Sequence, residues 1–391
     1  MEITSYKKLD PDNCAMCGMC LNHCPTYKIS KNESESPRGR ISIIHGLNNS
    51  MLQPSESALK HLNSCTLCLA CESVCPAKVD FYKMMIDARD KYFKDQNIKF
   101  KIKTNLISFF LKNYFLKGIA SKIIFYMTKH KFKYLNKNIF KFMNYIQDYN
   151  NHYEIDQKRI KKNTIGIFTG CATDFFQKEV ANNCINILKK SKINYEIIKN
   201  ARCCGSLDYN SGKIERGIKN NKLTVKEFNK KKYISIIGYA SGCSAFINKN
   251  NKDVNYQDAT TFILDLLENK KINNYKITKK NICIHKPCTT KSAEINFEKL
   301  ITVLKMIPGI KIFTYDDDYC CGAGAQNLIH NQKNLSKIVE PKINFINSNN
   351  IDYLLTYNIG CSLNFINEIN IKNIKNVKVM HPITFLNDRI C

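Results

Sequence analysis

Tryptophan is absent from the 391 residues, proline appears nine times, and acidic side chains are scarce: 33 Asp and Glu stand against 60 Lys and Arg, a formal net charge of +27. Such a surplus of positive charge invites a nucleic-acid reading. The lysines, however, are spread along the whole chain beside many Asn and Ile, with no recognisable nucleic-acid motif, so no nucleic-acid partner is expected. Attraction to an anionic membrane surface or an acidic subunit fits better, at about 1 kcal/mol for each basic residue close to such a surface. Long uncharged apolar runs are missing too. The stretch 104–145 holds Phe109, Phe110, Tyr114, Phe115, Ile123, Ile124, Phe125, Tyr126, Phe140 and Phe142. Lys112, Lys117, Lys122 and Lys129 interrupt it, leaving no uncharged window of about 18 residues and excluding a spanning helix. Residues 96–160 read as a basic helical connector that touches a partner or neighbouring domain in preference to membrane. Met1 to Asn13 lacks the apolar core of an export leader, so export is not expected. A flavin or nicotinamide fingerprint is also lacking. The GAGAQN run at 322–327 breaks at its third glycine and follows two cysteines, which makes it a decoy.

What the chain has in abundance is cysteine, 19 in all. In a reducing compartment, clustered cysteines are metal ligands before they are disulfides. Cys14, Cys17, Cys20 and Cys24, followed by Pro25, have the spacing C-x2-C-x2-C-x3-C-P with which bacterial ferredoxins hold a [4Fe–4S] cluster. Cys65, Cys68, Cys71, Cys75 and Pro76 repeat it, every cysteine 51 positions on. Structural zinc needs four ligands but not the C-P ending. The intervening SPRGRI run at 36–41 and the apolar positions after it suit a turn and a short helix. That helical filler resembles the helical ferredoxin type found in succinate dehydrogenase-like subunits. By analogy with two-cluster ferredoxins, whose fourth cysteine serves the neighbouring cluster, Cys14, Cys17, Cys20 and Cys75 would hold one cluster. Cys65, Cys68, Cys71 and Cys24 would hold the other.

From residue 163 onward, strand-like and helix-like runs alternate. TIGIF at 164–168 leads to Cys171, YEII at 195–198 to Cys203 and Cys204, and YISII at 233–237 to Cys243. The second half repeats this, with ICI at 282–284 before Cys288, IKIF at 310–313 before Cys320 and Cys321, and YLL at 353–355 before Cys361. Cys171 to Cys288, Cys203 to Cys320 and Cys204 to Cys321 are each 117 residues apart, and Cys243 to Cys361 is 118. This is a duplication. Alternating strands and helices predict a mostly parallel sheet in each half, with the cysteines just past strand ends, where open α/β sheets build their sites. The expected fold is mixed α and α/β: a helical two-cluster ferredoxin domain (1–95), the connector (96–160), then two Cys-Cys-Gly domains (161–275 and 276–391). Each set of four thiols is enough for an additional iron–sulfur cluster, a zinc ion or a redox-active pair. Cys184, Cys283 and Cys391 have no counterpart in the repeat and read as buried small hydrophobes. His285 is a candidate ligand or proton carrier, set against the more ordinary role of a satisfied structural histidine, which is also the reading for His23, His45 and His381.

Two ferredoxin runs followed by two Cys-Cys-Gly domains resemble the iron–sulfur subunits of flavin-linked 2-hydroxy-acid and glycerol-3-phosphate dehydrogenases. The Cys-Cys-Gly domain is similar to that of heterodisulfide reductase B-type subunits. Within the group, CPTY at 24–27, SPRGRI, CCGSLDY at 203–209, ASGCSAF at 240–246, HKPCT at 285–289 and NIGC at 358–361 resemble the glycolate oxidase iron–sulfur subunit most. The resemblance implies separate flavin-containing subunits that oxidise glycolate. This chain would relay their electrons toward a membrane quinone, peripherally on the cytoplasmic face of the inner membrane, with no substrate chemistry of its own. Lactate or glycerol 3-phosphate in place of glycolate, or a zinc-binding structural subunit, are the alternatives. One departure stands out: the full Cys-Cys-Gly motif ends in C-x2-C, and here Phe246 and Asn364 occupy the last position.

Overall fold

The computed structural model describes residues 13–129 and 163–391, apart from 270, 271, 273, 316–319 and 325. The latter part of the expected connector, with Phe140 and Phe142, lies outside the described residues. The chain begins as short helices: α1 (Pro25–Ser30), α2 (Pro37–Asn48), α3 (Glu56–Ser64), α4 (Ala70–Ser73) and α5 (Phe81–Lys91). Side chains set where several of them start. Ser36, Ser55 and Asp80 each accept a hydrogen bond from a first-turn backbone N–H, and Pro37 supplies a pre-set φ at the first position of α2. The SPRGRI run therefore does form a turn and a helix. Gly39 is needed because a Cβ there would stand 2.0 Å from the Glu33 carbonyl. Ile41, Ile44, Leu47, Leu59, Leu62, Met84 and Met85 interdigitate to make a core against which the cysteine loops lie.

Two longer helices, α6 (Ile98–Lys112) and α7 (Tyr114–Lys129), carry the chain onward. Each leaves apolar residues exposed at helical spacing: Ile98, Ile102, Leu106 and Phe109 on α6, and Phe115, Ile119, Ile123 and Tyr126 on α7. No helix among the described residues is long and apolar enough to cross a membrane.

Then come two sheets. Strands β1 (Thr164–Phe168), β2 (Asn194–Ile197), β3 (Ile236–Gly238) and β4 (Tyr256–Asp258) pair in parallel in the order β2-β1-β3-β4. Strands β5 (Lys280–Ile284), β6 (Ile310–Thr314), β7 (Tyr353–Leu355) and β8 (Lys378–Met380) repeat that order as β6-β5-β7-β8. Strands β4 and β8 are not foreseen by the sequence reading, and β3 lies a few residues past the start of the YISII run. Three-residue strands at a sheet edge carry too little alternation to register as a pattern. The two halves share one apolar core, in which the helix Lys178–Lys190 lies against Pro382–Asn387 and residues of both sheets are fully buried.

Candidate metal centres

In each sheet the chain order reverses beside the first strand, so a crevice opens at the carboxyl ends of β1 and β3, and again of β5 and β7. The cysteines gather there. Cys171 follows β1, and Cys243 sits in the first turn of the helix Ser241–Asn250 beyond β3. Cys203 and Cys204 lie on the turn after β2, where Gly205 has φ +91° and a Cβ would stand 2.1 Å from the Gly217 carbonyl. Gly322 repeats that left-handed turn with φ +84°. The third residue of the Cys-Cys-Gly motif is thus what lets two adjacent thiols turn back toward the sheet.

The thiols of the first half form a chain of contacts. Cys204 Sγ is 3.2 Å from Cys243 Sγ, and Cys203 accepts from both Cys171 and Cys204, which holds it well below the usual thiol range. The α6 residues Ile107, Phe110 and Leu111 roof Cys171 and Cys203. Lys117, almost wholly buried on α7, donates to Asp174 at 2.6 Å and to the Cys171 carbonyl at 3.3 Å. In the second half Cys321 Sγ is 2.9 Å from Cys361 Sγ, and Cys320 is hydrogen-bonded to Cys321 and to the exposed Cys288. All eight repeat cysteines are therefore brought together four and four.

The ferredoxin runs interleave. Cys24, from the first run, lines a small cavity with Cys65, Cys68 and Cys71 of the second. Burial, and then the neighbouring thiols Cys65, Cys68 and Cys24, push the Cys71 thiol far up, so a bound metal has to displace its proton. Cys14, Cys20 and Cys75 pack against the same core, and Cys17 is exposed. Two buried guanidiniums stand beside the cavity. Arg40, with no exposed surface, donates to Thr26 Oγ1 (3.0 Å), Glu35 Oε2 (2.6 Å) and Ser64 Oγ (2.9 Å), and its Nη1 lies 4.0 Å from Cys24 Sγ. Arg89 donates to the carbonyls of Leu62 and Cys65, both at 2.8 Å, and burial lowers it to about 10. Four thiols around one apolar-walled cavity, backed by fixed positive charge, fit a thiolate-bound cluster of net negative charge.

Sequence reasoning missed how these sites meet. Cys68 is hydrogen-bonded to Cys320, which raises the Cys68 thiol more than its burial does. Asn327 Nδ2 donates to the Ser64 carbonyl at 3.1 Å, and a Cβ on Gly324 would come within 1.9 Å of the Thr66 carbonyl. The GAGAQN glycines thus serve a turn and a close domain contact, which accounts for the false fingerprint. His285 is buried, its Nε2 has no hydrogen-bond partner among the described residues, and it lies with Cys321 and Cys361 in a group of donor atoms all within 4.8 Å of one another. Burial and Lys342, 3.4 Å from Nδ1, keep its imidazole neutral. His381 is also buried but caps a helix, accepting from Ile383 N at 3.2 Å. His23 is exposed and His45 half-buried on α2. Cys184 and Cys283 are fully buried in the apolar cores, their thiols pushed up to about 12 by burial. Cys391 is exposed, which corrects the expectation that it is buried.

Comparison with known proteins agrees with this layout. Residues 10–79 match the 4Fe-4S dicluster domain, and residues 165–248 and 282–366 each match the cysteine-rich domain. The glycolate oxidase iron–sulfur subunit of Escherichia coli is 22% identical over 377 residues, covering 89% of this chain and 88% of that protein. One of the subunits of the dihydromethanophenazine:CoB–CoM heterodisulfide reductase of Methanosarcina acetivorans is 23% identical over 363 residues, 82% of this chain and 80% of that one. An uncharacterized iron–sulfur protein of Methanococcus maripaludis is 22% identical over 349 residues; the match spans 88% of this chain but only 65% of that protein. Among solved structures, Picrophilus torridus aspartate racemase overlays at a TM-score of 0.27 with 13% identity over 58% of this chain and 95% of its own, too loosely to bear on function.

Proposed function

The chain joins one 4Fe-4S dicluster domain to two cysteine-rich domains, and we propose that it is the electron-transfer subunit of a glycolate oxidase-type complex. In this reading it accepts electrons from a flavin-containing partner that oxidises glycolate, and delivers them toward a membrane quinone at the cytoplasmic face. Cys14, Cys17, Cys20 and Cys75 hold one [4Fe–4S] cluster, and Cys24, Cys65, Cys68 and Cys71 hold the other. The observation that carries the reading is the cavity lined by Cys24 together with three cysteines 41 to 47 residues further on. When bound, each cluster supplies a one-electron carrier. The chain's own part is to exclude water around the second site with Pro25, Pro37, Leu69 and Phe81, and to set fixed positive charge beside it with Arg40 and Arg89. The exposed apolar stripes on α6 and α7, interspersed with lysines, supply a face for the partner subunit.

The test is anaerobic purification with metal and sulfide analysis, followed by low-temperature EPR. About eight iron and eight sulfide per chain in two EPR-distinct clusters are expected. Glycolate, added with the flavin partner, should bleach the clusters. Bleaching by lactate or glycerol 3-phosphate alone would reassign the substrate, and zinc without iron would return the chain to a structural role.

A further inference from the structure

The two cysteine runs repeat at 51 positions, and so does one of the cations that brace them. Arg38 donates to the Met16 carbonyl at 2.9 Å, and its counterpart Arg89 to the Cys65 carbonyl at 2.8 Å. Two positions on, the match fails. Arg40 is wholly buried, while its counterpart Lys91 is exposed and donates to Asn48 Oδ1 at 2.8 Å. Glu35 is buried too, and its counterpart is Ile86. Cys24 therefore has a buried ion pair behind it that the repeat does not copy behind Cys75.

That pair leads to the surface. Cys24 Sγ lies 4.0 Å from Arg40 Nη1, Arg40 Nη2 is 2.6 Å from Glu35 Oε2, and Glu35 Oε1 is 2.7 Å from Nδ1 of His61 on α3. Side-chain exposure climbs along the series, from 1% for Arg40 and 11% for Glu35 to 20% for His61. Arg40 Nε also donates to the His61 carbonyl at 2.8 Å, which fixes α3 against the pair. Of the three side-chain types, imidazole is the one that changes charge between about pH 5 and 8.

We infer that His61 is a redox-linked proton site, taking up one proton as an electron arrives at the second-run site and returning it as the electron leaves. The inference rests on the electron-transfer reading above. The electron comes from the flavin-containing partner and the proton from water, so the only bond made and broken is the N–H bond of the imidazole. The physical reason is charge. A thiolate-bound cluster of net negative charge becomes more negative with each electron, in an interior that screens charge poorly. The Arg40 guanidinium stands closest, but Glu35 shares it. As the site draws on Arg40, Glu35 keeps less of its counter-charge, and a proton on His61, bonded to the other oxygen of the same carboxylate, restores it. Arg89, from α5, is held by the Leu62 and Cys65 carbonyls and lowered by burial only to about 10, so it stays charged and adds a constant field.

The experiment titrates the full chain, purified anaerobically with its clusters, against dithionite between about pH 5 and 8, following each cluster by low-temperature EPR. The midpoint potential of the second-run cluster should fall as pH rises, by at most about 59 mV for each tenfold drop in proton concentration. That of the first-run cluster should stay flat. Cys24→Ser, expected to remove the second-run signal, tells the two apart. His61→Gln keeps a hydrogen-bond donor for Glu35 but takes no proton, and should flatten the second-run slope with iron content unchanged. A flat second-run potential in the unmodified chain, an equal slope in both clusters, a slope that survives His61→Gln, or loss of iron from that variant overturns the inference. The unmodified chain decides the first two outcomes even if the variant misfolds. Iron bound with a flat potential refutes only the proton link, whereas a chain that binds no iron refutes the electron-transfer reading as well.

Discussion

The two cysteine-rich halves have the same strand order and the same four thiols in register, but different neighbours cover them. The first half lies under α6 and α7, with Leu111 over its thiols and Lys117 paired to Asp174 beneath. The second lies under the ferredoxin domain, with Cys68 against Cys320 and Thr66 against Gly324. Duplication copied a framework; what each copy faces was decided by the segments packed onto it. A thiol set under a connector helix and a thiol set touching a cluster loop need not do the same work.

The largest expected effect breaks the ferredoxin side of this contrast. Cys24→Ser should lose the iron of the second-run site, about half the total, while Cys14, Cys17 and Cys20 keep theirs. In the proposed relay, electron delivery to quinone should stop although substrate still reduces the flavin partner; loss of the first-run EPR signal instead would mean the runs do not interleave. Next in size, Lys117→Met leaves Asp174 buried without its ammonium and should cost about 3–5 kcal/mol, read by urea unfolding. Cluster signals from the ferredoxin domain should survive it, since the damage falls on the first half.

The helix caps at the ends of the two halves offer an opposite pair. Asp258, the last residue of β4, accepts from Thr260 N, and His381, just after β8, accepts from Ile383 N. Burial raises Asp258 from 3.8 to about 6 and lowers His381 from 6.5 to about 3. A raised acid favours the protonated folded state, so its contribution is full below pH 3.8 and is lost as pH rises to 6. A depressed histidine must stay neutral, so its contribution is full above pH 6.5 and is lost as pH falls toward 3. Stability measured against pH should lose its first slope in Asp258→Asn and its second in His381→Asn, and a shared slope in both variants would refute the pairing.

The smallest effect compares the two turn glycines. Gly205→Ala drives a Cβ to 2.1 Å from the Gly217 carbonyl, whereas the Cβ in Gly322→Ala meets the Leu335 Cδ2 atom at 3.0 Å, a group that can give way. Gly322→Ala should cost about 1–2 kcal/mol, the penalty of a left-handed residue, and Gly205→Ala more. Equal shifts in melting temperature would show that the two turns are held alike.

Much of this was legible in the linear chain, for a definite reason. A cluster loop demands three cysteines at two-residue gaps, so Cys14 to Cys24 and Cys65 to Cys75 announced themselves locally. The repeat of 117 residues announced the duplicated domains. Strands β4 and β8 did not, being short and at sheet edges, and neither did Arg40, whose partners Glu35 and Ser64 flank it in sequence without any signature of burial. His285 stood out only as a residue type; its difference from Phe168 can be seen by laying the halves side by side, but its closeness to Cys321 and Cys361 cannot.

By itself the sequence determined where the cysteines stand, their grouping into two runs and two repeats, and the alternation that makes parallel sheets, because each depends on spacing along the backbone. Only the tertiary structure decided that Cys24 faces the second run, that Cys68 meets Cys320, and that His285 meets Cys321 and Cys361. Those contacts join residues tens to hundreds of positions apart, and packing of separate apolar faces, rather than any local pattern, brings them within bonding distance.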